Sequence, residues 1–179
     1  MSENIVVLTG SPRLEGNSEL LARAFVAGAE EAGKKVTVFK TAELKIGGCS
    51  GCEYCFDHEG VCIQKDDMEK ILNALKEADA LVLVSPVYYF SLTAQLKTAI
   101  DRTYALLTAK PPIKKAALLM ACADETVEVA EGAVVTFNNI CKYSEWENAG
   151  IVIAAGVGDI GDIAGRRELT TAHALGKEI

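Results

Sequence analysis

The stretch IVVLTGSPRLEGNS, residues 5–18, decides how the rest of the chain is read. It opens with a short β-branched apolar run that stops at Gly10, the pattern of a parallel strand buried on both faces. The loop after it carries glycines and short polar side chains. It runs into a segment whose apolar residues, Leu21, Ala24, Phe25, Gly28 and Ala32, share a helical face, with Gly33 placed to close the helix. A second strand, KVTVFK, is expected at 35–40.

Regular structure then stops for about twenty-five residues, longer than the usual βα loop of roughly 2 to 6. It resumes at DDMEKILNALKEAD, where Asp66 and Glu69 fit a capping box and Met68, Ile71, Leu72 and Leu75 repeat with helical spacing. Beyond it the pattern predicts strands at 80–85, 115–121 and 150–155, and helices over 93–107, 125–142 and 164–176. Strands alternating with helices imply a parallel sheet covered on both faces. Right-handed crossovers leave few arrangements. The leading one is an α/β three-layer sandwich of flavodoxin-like type, with five strands in the order 2-1-3-4-5. Residues 1–179 are read as one domain, with a cysteine-rich insertion at about 43–65.

Half of the 179 residues are apolar and a quarter are charged, as in an ordinary globular protein. A net charge of -7 with scattered Lys and Arg argues against nucleic acid and against an anionic membrane as partners. No apolar run approaches the length of a membrane span, and the start carries no signal-peptide pattern. The six cysteines therefore read as thiols or ligands in a cytoplasmic protein rather than as structural disulfides.

In a doubly wound sheet, ligands sit outside the carboxyl ends of the strands near the switch point, here between strands 1 and 3. The loops to inspect follow residues 9, 85 and 121. In the first, TGSPRLEGNS, free amides at a helix N-terminus suit a phosphate, and Ser11, Arg13, Asn17 and Ser18 add polar side chains and a cation. The plain alternative is a βα turn capped by Asn17 or Ser18. No Walker A pattern is present, which excludes a P-loop nucleotide hydrolase. In the second loop, SPVYYFSLTAQLKTAIDR at 85–102, Pro86 and Val87 precede three consecutive aromatics, Tyr88, Tyr89 and Phe90. On a chain with 6% aromatics this suits a planar ring ligand, the alternative being a plug at the sheet edge or a subunit interface. An ion pair among Lys97, Asp101 and Arg102 reads as structural. GVGDIG, residues 156–161, matches a dinucleotide fingerprint but lacks the following strand with its acidic residue, and is read as a glycine-rich loop.

GSPRLEGNS and SPVYYFSLTAQLKTAIDR together resemble the flavodoxin-fold NAD(P)H-dependent FMN reductase family, in the branch that includes the iron-sulfur flavoproteins. The resemblance runs from residue 5 to about 155. It implies non-covalent FMN, with Ser11, Arg13, Asn17 and Ser18 around its phosphate and Pro86, Val87, Tyr88, Tyr89 and Phe90 bordering ribityl and ring. It also implies Ala123, Asp124 and Glu125 near the flavin, although CADET departs from the glycine-rich version of that loop. The implied activity is reduction of bound FMN by NADH or NADPH, then of a quinone, a nitro compound, free flavin or a redox protein. The implied assembly is a homodimer or homotetramer in which the insertion lies near a neighbour's flavin. No side chain is assigned as a catalytic acid or base, since a flavin reductase needs little help of that kind.

CSGCEYCFDHEGVC, residues 49–62, crowds Cys49, Cys52, Cys55 and Cys62 into the insertion. The spacing resembles the compact motif of iron-sulfur flavoproteins and makes the four a candidate 4Fe-4S ligand set. A zinc ion with His58 or Cys62 as fourth ligand, a reactive cysteine pair and free thiols remain alternatives. With a cluster, the alternative function is that of an electron-transfer protein. Cys122 and Cys141, on the expected fourth strand and the helix after it, read as buried and inert.

Overall fold

The computed structural model describes residues 3–179. Its strands β1 (Asn4–Thr9), β2 (Lys35–Lys40), β3 (Ala80–Pro86), β4 (Lys115–Ala121) and β5 (Glu147–Ala154) are all parallel, in the order β2-β1-β3-β4-β5. The helices are α1 (Asn17–Glu31), α2 (Met68–Leu75), α3 (Ala94–Arg102), α4 (Leu106–Ala109), α5 (Glu131–Ser144) and α6 (Arg167–Glu178). The three-layer flavodoxin-like sandwich follows from strand alternation. Val6, Leu8, Leu81, Leu83, Leu118 and Met120 face a core shared with α2, α3 and α5. Ile5, Val7, Val82, Val84, Ala117 and Leu119 face the core shared with α1 and α6. Apolar side chains on both faces are what a central parallel strand requires. Among the described residues no helix is long and apolar enough to cross a membrane.

Several boundaries differ from those the sequence predicts. The helix expected over 93–107 ends at Arg102, tightens into a 3₁₀ turn at Thr103–Ala105 and continues as α4. That expected over 125–142 begins with a 3₁₀ turn at Val127–Ala130, and α5 ends at Glu145 with φ of 59°. β5 starts at Glu147, because Glu147 and Asn148 pair with Lys115 and Ala116 although both are polar. The last helix starts at Arg167, since residues 159–166 turn through Gly161 and Gly165 at positive φ. The capping box is not formed as expected. The Asp66 carboxylate accepts from Met68 N at 3.1 Å, but its main partner is Arg102 on α3.

α1 and α6 lie against each other with backbone in contact. A Cβ at Gly28 would collide with the His173 carbonyl, and one at Gly176 with the Phe25 carbonyl. Backbone cannot rotate away as a side chain can, so overpacking of about 1–3 kcal/mol outweighs the roughly 1 kcal/mol that alanine gains over glycine in a helix. Gly28→Ala is expected to lower unfolding free energy by about 1–2 kcal/mol in a denaturant titration. A stability equal to or above wild type would show that the two helices separate freely.

Candidate functional site: a carboxyl-edge cleft and a nest of thiols

The loops after β1, β3, β4 and β5 meet at the carboxyl edge of the sheet. They enclose a cleft of about 120 Å³ lined by Ser11, Arg13, Gly16, Asn17, Ser18, Pro86, Val87, Tyr88, Ala121, Cys122, Ala123, Val157, Gly158 and Ile160. Main-chain hydrogen bonds lock the loops together: Gly10 N to Val84 O, Val87 N to Ala121 O, Cys122 N to Ala154 O and Val157 N to Cys122 O, each 2.8–2.9 Å. A second lock is made by Thr93. Its buried hydroxyl donates to Gly10 O at 2.9 Å and accepts from Leu96 N as the N-cap of α3. Thr93 N donates to Ser85 Oγ. Gly10 is required here, because a Cβ would overlap Thr93 Oγ1 and sit 2.7 Å from Leu96 Cβ.

No side chain caps the N-terminus of α1. Its first amides and the positive end of its dipole are left facing the cleft, as an anion requires. The fit to a phosphate rests on that uncapped end, with the Ser11 and Ser18 hydroxyls beside it. A whole FMN exceeds the cleft, since ligands of that size occupy about 300–1,000 Å³. The cleft therefore suits the phosphate end, with the aromatic turn after β3 at its rim.

That turn is strained. Tyr88 and Ser91 exchange both main-chain hydrogen bonds, 3.0 and 3.1 Å. Between them Tyr89 and Phe90 both take left-handed φ, 46° and 66°. Asn-Gly is the usual choice for such a turn, and aromatic residues there cost about 1–2 kcal/mol each. Tyr89 is 96% and Phe90 62% exposed, so burial of their rings does not offset the cost. The turn rests on α5 at Gly132, where a Cβ would lie 2.6 Å from Phe90 O.

Of the residues expected around a flavin, Ser11, Arg13, Asn17, Ser18, Pro86, Val87, Tyr88 and Ala123 line the cleft. Asn17 does so with its side chain already engaged: Nδ2 donates to Val157 O and Asp159 O, and Oδ1 accepts from Ile163 N. It is a staple between two loops. Arg13 Nη1 makes a further staple to Gly158 O at 3.1 Å. Tyr89 and Phe90 stand outside the cleft on their turn. Asp124 bonds within its own loop, Oδ1 to Thr126 N and Oγ1. Glu125 lies over Gly156 beside Arg166. Sequence reasoning missed Val157, Gly158 and Ile160, although their loop follows the carboxyl end of β5 and so belonged on the list of loops to inspect. It also missed Cys122, which lies just beyond β4 in the cleft wall, where burial followed by the nearby Asp124 pushes its thiol pKa up.

The insertion brings Cys49, Cys52, Cys55 and Cys62 around one small cavity of about 20 Å³, which Gln64, Arg102 and Tyr104 also line. Cys49 and Cys52 form its exposed side. Gly51, Glu53, Glu59 and Gly60 at positive φ let the chain curl around it. The Tyr54 amide and then the Ser50 hydroxyl pull the Cys52 thiol pKa down, while burial pushes that of Cys55 up. Arg102, only 2% exposed, holds the nest closed. Its Nη1 donates to Gly47 O, Gln64 Oε1 and Asp66 Oδ2, and its Nη2 to Cys62 Sγ at 3.3 Å and Asp66 Oδ1. Its Nε is buried without a partner. The expected structural ion pair on α3 is therefore Lys97 with Asp101, 2.6 Å, and Arg102 turns inward.

The nest is not arranged for a single ion. Tetrahedral zinc would need thiolates about 3.8 Å apart. Among the described residues no group of three or more His, Cys, Asp or Glu is placed to hold a metal ion. His58 is turned to Tyr54, with its ring stacked at 3.6 Å and Nδ1 2.8 Å from the carbonyl. Four thiols and an orphaned cationic donor line one cavity, a donor set of the chemistry that an anionic iron-sulfur cluster takes. The nest and the cleft lie at opposite ends of α3, with about 13 Å of helix between Thr93 and Arg102.

A larger groove of about 910 Å³ runs between α3–α4 and α5, past Tyr104, Tyr143 and Trp146. Size alone would make it the binding site. Its lining includes Ile113 and Trp146, just before the amino ends of β4 and β5, away from the carboxyl ends of the strands, so the smaller cleft is the better phosphate site.

Residues 4–143 match the family described as NADPH-dependent FMN reductase. An iron-sulfur flavoprotein of Archaeoglobus fulgidus is 33% identical over 177 residues, which cover 97% of this chain and 77% of that protein. One from Methanocaldococcus jannaschii is 39% identical over 102 residues, 57% of this chain and 52% of that protein, so the chain spans about half its length. Among solved structures, an NAD(P)H:quinone oxidoreductase from Methanothermobacter marburgensis superposes with a TM-score of 0.79 at 21% identity, over 99% of this chain and 96% of that one.

Two measurements check this geometry. Thr93→Val removes the donor to Gly10 O and the cap of α3, and is expected to cost about 2–3 kcal/mol in denaturant unfolding. A loss below about 0.5 kcal/mol would show that the lock does not hold the loops. The second concerns Asp66. Burial pushes its carboxyl pKa up, but hydrogen bonds from Arg102, Gly47 N and Met68 N outweigh that and bring it below the usual range. The resulting stability is complete above about pH 4 and is lost as pH falls through the lower folded value. Asp66→Asn should flatten this acid limb of the stability curve, and an unchanged limb would contradict the clamp.

Proposed function

Because the chain belongs to the family of NADPH-dependent FMN reductases, in its iron-sulfur flavoprotein branch, we propose that it is an FMN-dependent oxidoreductase. It draws electrons from NADH or NADPH and delivers them to a small acceptor such as a quinone, a nitro compound or free flavin. The observation that carries this reading is the uncapped N-terminus of α1 opening on a cleft built from four loops at the carboxyl edge.

FMN, when bound, supplies the hydride and one-electron chemistry that no side chain of the protein can. The protein's own residues bind and orient it. The first amides of α1 and the Ser11 and Ser18 hydroxyls hold the phosphate. Asn17 and Arg13 keep the loop after β5 against that site. Pro86, Val87 and Tyr88 form one wall, and Ala123, Val157 and Gly158 the other. The turn at Tyr89 and Phe90 offers two exposed rings at the rim, where a nicotinamide or an aromatic acceptor would stack.

A second reading, an electron-transfer protein with a 4Fe-4S cluster and a redox-protein acceptor, is favoured by the four thiols and the orphaned Arg102 Nε around one cavity. The two readings are compatible. The proposal includes a homodimer or homotetramer in which the nest of one subunit lies near the flavin of another.

Flavin titration tests the first reading. Wild type should bind FMN and show anaerobic bleaching of the flavin absorbance on adding NADH or NADPH. Ser11→Asp sets a carboxylate beside the phosphate and should weaken FMN binding by about 10–100-fold while leaving riboflavin binding nearly unchanged. Equal losses for FMN and riboflavin would place the phosphate elsewhere, and a wild type that binds no FMN would contradict the proposal.

A further inference from the structure

Arg102 lies at the C-terminal end of α3, away from the cleft, yet it is among the most fully buried large side chains of the protein. Burying a guanidinium is costly unless acceptors surround it. Asp66 neutralises its charge through two hydrogen bonds, and Gly47 O and Gln64 Oε1 take further donors. Two features are left over from a purely structural clamp. One N–H reaches a thiol, Cys62 Sγ, which is a weak acceptor unless it is ionised or bound to metal. Another, on Nε, has no acceptor at all. Both belong to a side chain that lines the thiol cavity.

We propose that Arg102 is a positioning residue for an iron-sulfur cluster held by the nest, fixing Cys62 as a ligand and raising the cluster's one-electron reduction potential. The proposal rests on the second reading above. Reduction adds one electron, and with it one negative charge, to the cluster and its thiolates. A cation fixed against one ligand sulfur stabilises the reduced form more than the oxidised one, and hydrogen bonds to cluster sulfurs act in the same direction. Asp66, in contact with the same guanidinium, opposes that field. The two neighbours are therefore expected to shift the potential in opposite directions.

The test uses the full chain, purified anaerobically and supplied with ferrous iron and sulfide, as wild type, Arg102→Gln, Arg102→Lys and Asp66→Asn. Each is titrated with dithionite in the presence of mediators while electron paramagnetic resonance follows the reduced cluster. FMN content and thermal melting report folding, and iron release to a chelator reports how firmly the nest is closed. Wild type should hold about four iron per chain. In Arg102→Gln the ratio of reduced to oxidised cluster at a fixed poise should fall about tenfold, a shift of about 59 mV for one electron. Arg102→Lys should recover part of that shift but release iron faster, since an ammonium cannot reach the acceptors of a guanidinium fork. Asp66→Asn should raise the potential, and it stands as the deciding variant if Arg102→Gln does not fold. Equal midpoints in wild type and Arg102→Gln overturn the inference, as does a lowered or unchanged midpoint in Asp66→Asn. A wild type that takes up no iron overturns the cluster reading itself, and that result is read without any variant.

Discussion

The structure depends on how α3 is held at its two ends. At the start, Thr93 spends one hydroxyl on two tasks, capping the helix and bonding the carbonyl of Gly10. At the end, Arg102 is buried and must be surrounded by acceptors, which it obtains by drawing residues 47, 62, 64 and 66 onto itself. The insertion between β2 and α2 has only short 3₁₀ turns of its own at Thr41–Glu43 and Tyr54–Phe56. That guanidinium gathers four of its residues, while Lys45 paired with Asp67, Gln64 bonded to Gly48 O, Leu44 and Ile46 packed on the core and Phe56 against Tyr104 hold the rest. A single helix thus fixes both the flavin-side loops and the thiol nest, and sets the distance between them.

The cleft is built from compromises that a purely structural loop would not need. The N-terminus of α1 is left uncapped although a side-chain cap would add about 1 kcal/mol. Two aromatic residues take left-handed backbone and expose their rings. Such local costs persist where the surrounding structure over-determines them, and they cluster at binding sites. Here Gly132 lets α5 press on the turn at Phe90, and Gly10 lets α3 press on the first loop.

The sheet was legible in the sequence because its physics is local. β2 and β4 fall where their apolar runs end, and the strand order follows from alternation with helices. The place of the first loop at the carboxyl-edge cleft was legible for a similar reason, since it follows directly from the end of β1. The role of Asn17 was not. It reads as a cap or a phosphate ligand, but its amide is consumed by a loop some 140 positions further along the chain. Arg102 was misread in the same way. On the helix surface its natural partners are one turn away, and only the tertiary structure shows that burial sends it to Asp66. Val157, Gly158 and Ile160 were passed over because GVGDIG was weighed as a dinucleotide fingerprint and dismissed, although the same loop closes the cleft.

The central claim is that FMN binds at the carboxyl-edge cleft and not in the larger groove. Hydrogen–deuterium exchange on the flavin-free and FMN-loaded protein addresses it directly. Slowed exchange is predicted at residues 11–19, 86–92 and 155–160, with the groove segments 103–113 and 139–146 unchanged. Protection confined to the groove segments, with the first amides of α1 unaffected, would contradict the account.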